Sequence, residues 1–404
     1  MTGLPAELPA PRRRGWQWPA AAWAGVAAVL VVVVWQSSVH LPAAEEREPP
    51  RATTEVADGV LGPWLRWDTK YYVRVAEDGY GGPDVAVFDD GGETLVAFFP
   101  GYPLLVRGVA DLGMGTGLAL ILVTAVSGLL VAVLFHRWCQ RVLDEAAGRR
   151  ATWALLLFPW SYVLVAAGYP EALFLALAIG AFLLAEDDRP VAAGVLAALA
   201  STTRVIGIGV ALGVALRVAE RRGALTFDGW RPRLELGRFR RRDLGLLLGG
   251  VGLAAWMAFC WSRYGDPLAF STAQRGWSQG FGPRSWFKLG LIDQIQHNGD
   301  RFFVLRLAAQ GLAMVLMALA LPAVWRRFGA GYGTFTTVAV ALPLLGSSNF
   351  ASNGRMALMA FPVFALAGER LGREPARARG ALLGASGALL VLVASWWGRG
   401  YWMA

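Results

Sequence analysis

Apolar stretches of membrane-crossing length recur along the chain, and polar residues are largely confined to the gaps between them. Seven stretches stand out, at 16–39, 116–138, 244–262, 303–325, 331–348, 356–371 and 380–398. Each is near the ~20 residues a helix needs to cross the hydrocarbon of a bilayer. The segment 151–218 is apolar nearly throughout but is broken three times: at Gly168-Tyr169-Pro170-Glu171, at Glu186-Asp187-Asp188-Arg189-Pro190 and at Ser201-Thr202-Thr203-Arg204.

Basic residues set the direction of the spans, because cytoplasmic loops carry the arginine excess. The stretch 217–243 holds nine arginines against four acids and is expected inside; the loop 40–97 holds five Lys/Arg against twelve Asp/Glu and is expected outside. With the N-terminus inside, 190–218 must enter and leave on one face. It does so as two short helices, roughly 190–202 and 204–218, turning near Arg204. The same reasoning makes 151–167 and 169–185 a pair that turns at the Gly-Tyr-Pro-Glu break. Non-helical backbone at such depth is tolerated only where it is buried or lines a wet cavity. The expectation is an all-α polytopic membrane protein of about 11 spans, a single integral membrane domain over 1–404 with the C-terminus outside.

Composition agrees: 55% of residues are hydrophobic, 17% are charged and the mean hydropathy is +0.44. The net charge of +9 does not point to nucleic acid, since the arginines sit in loops rather than on a soluble basic surface. Lys70 and Lys288 are the only lysines, an arginine bias that reads as a high-GC bacterial genome, actinobacterial in type. Cys139 and Cys260 fall at opposite membrane faces, so no disulfide is expected. Arg12-Arg13-Arg14 precede an apolar run too long for a signal h-region, and a retained signal anchor is expected.

Two extracytoplasmic loops are large, 40–115 and 264–302, and 217–243 forms a basic cytoplasmic loop. From Trp64 to Gly79 the first loop reads as a short amphipathic helix lying at the interface. Asp68 stands on it, flanked by Arg66 and Lys70, which would keep it ionised. A carboxylate there can take a proton from an incoming hydroxyl; it can also be a solvated or capping aspartate. Glu171, at a break between short spans, reads either as a functional acid or as one favoured by the helix dipole. Arg204 offers a planar fork suited to phosphate, and Arg355 opens a late span on the same face. His297 and Arg301 close the second large loop. His40, His136 and His297 are scattered, and no transition-metal spacing occurs; Asp89-Asp90 is an exposed turn with little calcium character. There is no phosphate-binding Gly-x-x-x-x-Gly-Lys motif, no Gly-x-Ser-x-Gly elbow, and no Asp-x-Asp, so neither an ATP-driven pump, a serine hydrolase nor a nucleotide-sugar enzyme is expected.

The string Trp67-Asp68, Gly79-Tyr80 and Phe99-Pro100-Gly101-Tyr102-Pro103-Leu104-Leu105-Val106-Arg107 resembles the first-loop motif of the GPI mannosyltransferase II (PIG-V-like) family. Tyr71 stands where that family often has a histidine. Ala167–Phe174 resembles the family's Pro-Tyr-Ser-Glu-Ser-Leu-Phe segment with a proline before the glutamate, and Ala200–Gly207 its Ala-Thr-x-x-Arg-x-x-Gly. The segment Ser352–Met356 is similar to a Ser-x-x-Arg-Tyr element of GT-C enzymes. The resemblance implies a GT-C bundle in the plasma membrane that moves mannose from a polyprenyl-phosphate donor to a glycolipid or glycan acceptor outside the cell. It implies Asp68 as general base with Glu171, donor phosphate on Arg204, Arg355 and Lys70, and Trp67, Tyr71, Tyr102, Tyr169, His297 and Arg301 lining the substrate. No cofactor is expected, and a divalent metal is left open. The rival readings are a transporter of lipid-linked glycans, with broken helices at its binding site, and a non-catalytic subunit of a transferase complex.

Overall fold

The structure, a computed structural model, describes residues 15–44, 59–80, 94–228, 231–277, 279–297 and 300–403. Arg12–Arg14 and the Asp89-Asp90 turn lie outside the described residues.

The chain is a helical bundle. α1 (Gln17–His40) is the first apolar span and packs against α16 (Ala376–Arg399), the last. Between them lie α2 (Thr69–Asp78) and α3 (Gly101–Ala110), then the long α4 (Thr116–Val142) and the shorter α5 (Glu145–Leu156), α6 (Glu171–Glu186), α7 (Pro190–Thr203) and α8 (Gly207–Arg221). A small antiparallel hairpin, β1 (Leu225–Asp228) with β2 (Arg231–Leu234), pairs Leu225 with Leu234 and Asp228 with Arg231. A tight helical segment Arg241–Gly250 continues into α9 (Val251–Tyr264). Short helices α10 (Ala269–Ala273), α11 (Pro283–Trp286) and α12 (Leu289–His297) form the second large loop. α13 (Arg301–Gly346), α14 (Asn353–Met356) and α15 (Phe361–Leu371) complete the bundle. Among the described residues, five helical stretches are long and apolar enough to cross a membrane.

α6 is the centre of the bundle. It is apolar all round and almost wholly buried, as expected of a helix with neighbours on every side. It packs on α4, α7 and α8. α7 is rich in Ala and Gly, which lets its backbone close on Arg241–Gly250. The two short helices expected on either side of Arg204 are α7 and α8. The pair expected to turn at the Gly-Tyr-Pro-Glu break turns earlier: α5 ends at Leu156, ahead of Pro159, and 157–170 is irregular apart from one tight turn.

α13 is a hairpin. Gly329 has φ 88° and ψ −174°, a conformation that effectively only glycine adopts, and it reverses the chain in one residue. Trp325 Nε1 accordingly reaches Thr337 Oγ1 at 3.0 Å, across the turn. The Glu220 carboxylate accepts from the amides of Ala330 and Gly331 at 2.5 and 3.3 Å and so satisfies the start of the second arm. Close by, Glu186 accepts from Arg217 at 2.7 Å, Arg221 at 2.5 Å and Tyr332 at 2.9 Å, and the Tyr332 hydroxyl accepts from Trp138 at 2.7 Å.

The interfacial helix expected from Trp64 to Gly79 is shorter and deeper than its pattern suggests. It starts at Thr69, and Trp64, Tyr71 and Val75 are buried. Their apolar stripe faces the protein rather than lipid headgroups.

Candidate active site

Four charged side chains from separate segments meet at the end of the bundle that holds α2. Asp68 stands just before that helix, and its side chain makes no capping bond. Its Oδ2 accepts instead from Arg355 Nη2 at 2.6 Å. Arg355 Nη1 lies 3.2 Å from Glu171 Oε1, and Arg204 Nη2 donates to the same oxygen. Two carboxylates and two guanidiniums therefore alternate in one line. Glu171 is fully buried and Arg355 nearly so, and buried charges persist only when paired in this way.

Local structure puts each group in place. Trp67 has φ 58°, a left-handed conformation unusual for a bulky residue, and it turns the chain so that Asp68 enters the protein. At Gly168 a Cβ would sit 2.8 Å from the Thr69 side chain. Glycine alone lets the α5–α6 connection lie on the first turn of α2, which brings Glu171 beside Asp68. Arg204 leaves α7 with an extended backbone, so its side chain is freed from the helix surface. Arg355 sits in α14 with its guanidinium 4.5 Å from the centroid of the Tyr169 ring and donates to Ser352 Oγ at 3.1 Å.

These groups edge a cavity of about 360 Å³. Its lining combines polar groups, among them Asp68, Arg204, Ser352, Asn353 and Arg355, with apolar and aromatic ones, among them Phe98, Phe270, Trp277, Leu342 and Pro343. Arg204 Nε, Arg355 Nε and Asn353 Nδ2 are buried without a hydrogen-bond partner, and Arg355 Nη1 has its ion-pair contact with Glu171 but no hydrogen bond. Buried polar atoms are almost always paired, so donors left open beside a cavity mark where a polar ligand completes the set. Arg204 Nη1 meets only the Met356 sulfur, at 3.2 Å, a weak acceptor.

The sequence pointed to Asp68, Glu171, Arg204 and Arg355, and the structure brings all four together. The Arg66 guanidinium bonds the carbonyls of Pro63 and Gly398 at 3.0 Å each. Lys70 does not border the cavity; its ammonium lies 4.8 Å from the Tyr71 ring centroid. Tyr71 stacks on Phe98 at 4.7 Å and meets Trp277 edge-on, behind the cavity wall. Tyr102 spends its hydroxyl on Leu120 O and Thr124, so it holds helices together instead of facing substrate. Trp67 shapes the turn, and Tyr169 supports Arg355 from outside the cavity lining. His297 and Arg301 are exposed and away from the cavity, His297 against Asp293 O at 3.2 Å.

Sequence reasoning missed Tyr72, Gln274, Trp277 and Gln279, all of which line the cavity. Tyr72 was findable, since it falls four residues after Asp68 on the same helical face. The residues from the second large loop carried no comparable signal.

Residues 28–220 match the family described as Mannosyltransferase (PIG-V). GPI alpha-1,6-mannosyltransferase 2 of Mus musculus is 33% identical over 204 residues, covering 46% of this chain and 38% of that protein. The Homo sapiens protein of the same name is 32% identical over 182 residues, covering 41% of this chain and 34% of that protein. The match thus spans little more than a third of those relatives. ArnT from Cupriavidus metallidurans, in a structure bound to undecaprenyl phosphate, superimposes with a TM-score of 0.50 at 18% identity, covering 91% of this chain and 63% of that one. That likeness is one of fold. Asp68, Glu171 and Arg204 all fall within the matched stretch, which is just under half of the chain, and over it the chain resembles the PIG-V mannosyltransferase family.

Proposed function

We propose that this protein transfers a mannosyl residue from a polyprenyl-phosphate mannose to a lipid-linked or glycan acceptor, at the extracytoplasmic face of the plasma membrane. The observation that carries the reading is an aspartate held by an arginine at the edge of a cavity lined by both charged and apolar groups. A lipid-phosphate sugar has the same mixed chemistry. Mannose and the α-linkage are supported by the family and its relatives' names, and a lipid phosphate by the ligand named for ArnT.

The donor's phosphate lies against Arg204 and Arg355, taking up the open Nε donors and displacing the Met356 sulfur. A phosphate oxygen is a far stronger acceptor than a thioether. Glu171, hydrogen-bonded to Arg204 and ion-paired with Arg355, sets their separation. The acceptor hydroxyl attacks the anomeric carbon from the face opposite the phosphate, and Asp68 takes its proton. The bond from anomeric carbon to phosphate oxygen breaks as the new glycosidic bond forms, inverting the configuration. The arginines stabilise the departing lipid phosphate. Its diester precursor carries one negative charge, which two guanidiniums answer, so the reading assigns no metal. Leu342, Pro343 and the aromatic wall receive the first isoprene units.

The test uses purified wild type and Asp68→Asn with radiolabelled polyprenyl-phosphate mannose and a membrane-lipid acceptor extract. Wild type should transfer label, and the variant should be slower by about 10²–10⁴-fold, the usual worth of a general base. Equal rates would remove Asp68 from the mechanism; donor bound but never consumed by wild type would favour a carrier.

A further inference from the structure

A second concavity lies at the opposite end of the bundle, between the first arm of α13 and the end of α15. It measures about 290 Å³ and is lined by four arginines and Glu369 over an apolar floor of Ala323 and Leu366. Arg327 neutralises the carboxylate, donating to Glu369 Oε1 at 2.9 Å and to Val142 O at 2.9 Å. The side chains of the other three, Arg326, Arg370 and Arg373, have no hydrogen bond or ion pair among the described residues. Arg150 borders the same turn, its Nε bonded to Gly368 O at 2.9 Å.

Two ordinary causes place arginines at such a position. They orient spans, and they complement the carbonyl end of a helix. Neither requires a concavity, and neither accounts for what lies above it. Leu312, Leu316 and Leu319 are 60%, 54% and 72% exposed on α13. Their spacing of four and three puts them on one helical face, and the same stripe continues through Ala323 to Arg326. An apolar track therefore runs along exposed helix surface into a basic pocket.

We propose that this pocket binds an anionic phospholipid, with its phosphodiester among Arg326, Arg370 and Arg373 and its acyl chains along the leucine track. Basic pockets between spans are a recurring way to hold such headgroups. The bound lipid joins α13 to α15, whose other ends flank the Asn353–Met356 segment. The assignment is independent of the transfer chemistry.

The full chain, purified in uncharged detergent, would be titrated with phosphatidylglycerol or phosphatidylcholine in mixed micelles. Thermal unfolding and native mass spectrometry would read stability and bound lipid. Phosphatidylglycerol should raise the unfolding midpoint and be retained, and phosphatidylcholine should do neither. The triple variant R326Q/R370Q/R373Q should bind phosphatidylglycerol on the order of a hundredfold more weakly, from about fivefold per arginine. Should that variant not fold, R373Q alone should show the single step of about fivefold. Equal binding of both lipids, or undiminished binding by the variants, would overturn the proposal. Inorganic phosphate giving the same stabilisation as phosphatidylglycerol would also overturn it, because the site would then read a free anion and not a lipid.

Discussion

The two ends of α6 each bury a glutamate among arginines. At one end Glu186 accepts from Arg217, Arg221 and Tyr332, and both its oxygens are used. At the other, Glu171 shares one oxygen between Arg204 and Arg355 and leaves Oε2 without a partner. The first network is closed. The second has open donors and borders 360 Å³ of space. Burial of charge is thus common to both, and what separates a structural network from a candidate site is whether the hydrogen bonds are complete.

Breaking each network should therefore have a different signature. The largest effect is expected from Arg355→Lys, which keeps the charge but loses the fork that reaches both Asp68 and Glu171. Transfer should fall by about a hundredfold or more, as on loss of a transition-state donor, with the unfolding midpoint little changed. A parallel fall in stability would mean that the Asp68 end is as structural as the other. Glu186→Ala should reverse the pattern. Removing one partner of a buried network costs about 3 kcal/mol, visible in thermal unfolding, while the folded fraction keeps its turnover. Tyr332→Phe deletes a hydroxyl that both accepts and donates, and should lose about 1.5 kcal/mol without altering transfer; a drop in turnover would tie the two ends together.

The smallest effect is one of pH. Lys288 donates to Ser347 O at 2.7 Å and to Leu344 O, fastening the second large loop to the end of α13. Burial pushes its ammonium down from 10.5 to about 8. Between those values the unfolded chain binds the extra proton, so stability should rise as pH climbs from 8 towards 10.5 and fall as pH drops through 8. Hydrogen exchange in 279–297 should slow over that window once corrected for its intrinsic pH dependence, and Lys288→Met should abolish the trend.

Much of this contrast could be read from residue types. Asp68, Glu171, Arg204 and Arg355 stood out because an ionisable group beside an apolar run is costly unless used. The sequence could not show how they pair. Asp68 has Arg66 and Lys70 beside it, yet its partner is 287 positions away. Helix faces decide this: Arg66 precedes the left-handed turn at Trp67 and points to the chain's last segment. Spans on either side of 326–330 were legible as separate runs, but not that a single residue joins them. Tyr102 and Tyr71 sat in the right motif and turned out to pack it, since aromatic residues serve cores as readily as sugars.

The reversal at Gly329 also has a practical side. With only one residue between the arms of α13, there is no slack to absorb an inserted tag, a reporter or a protease site, and any such graft would pull Glu220 off the amides it caps. The β1–β2 hairpin, with its strands largely exposed at the end of α8, has that slack. Fusion partners and crystallisation chaperones belong there, where they can enlarge the protein without bending the rod that carries the Asn353–Met356 segment.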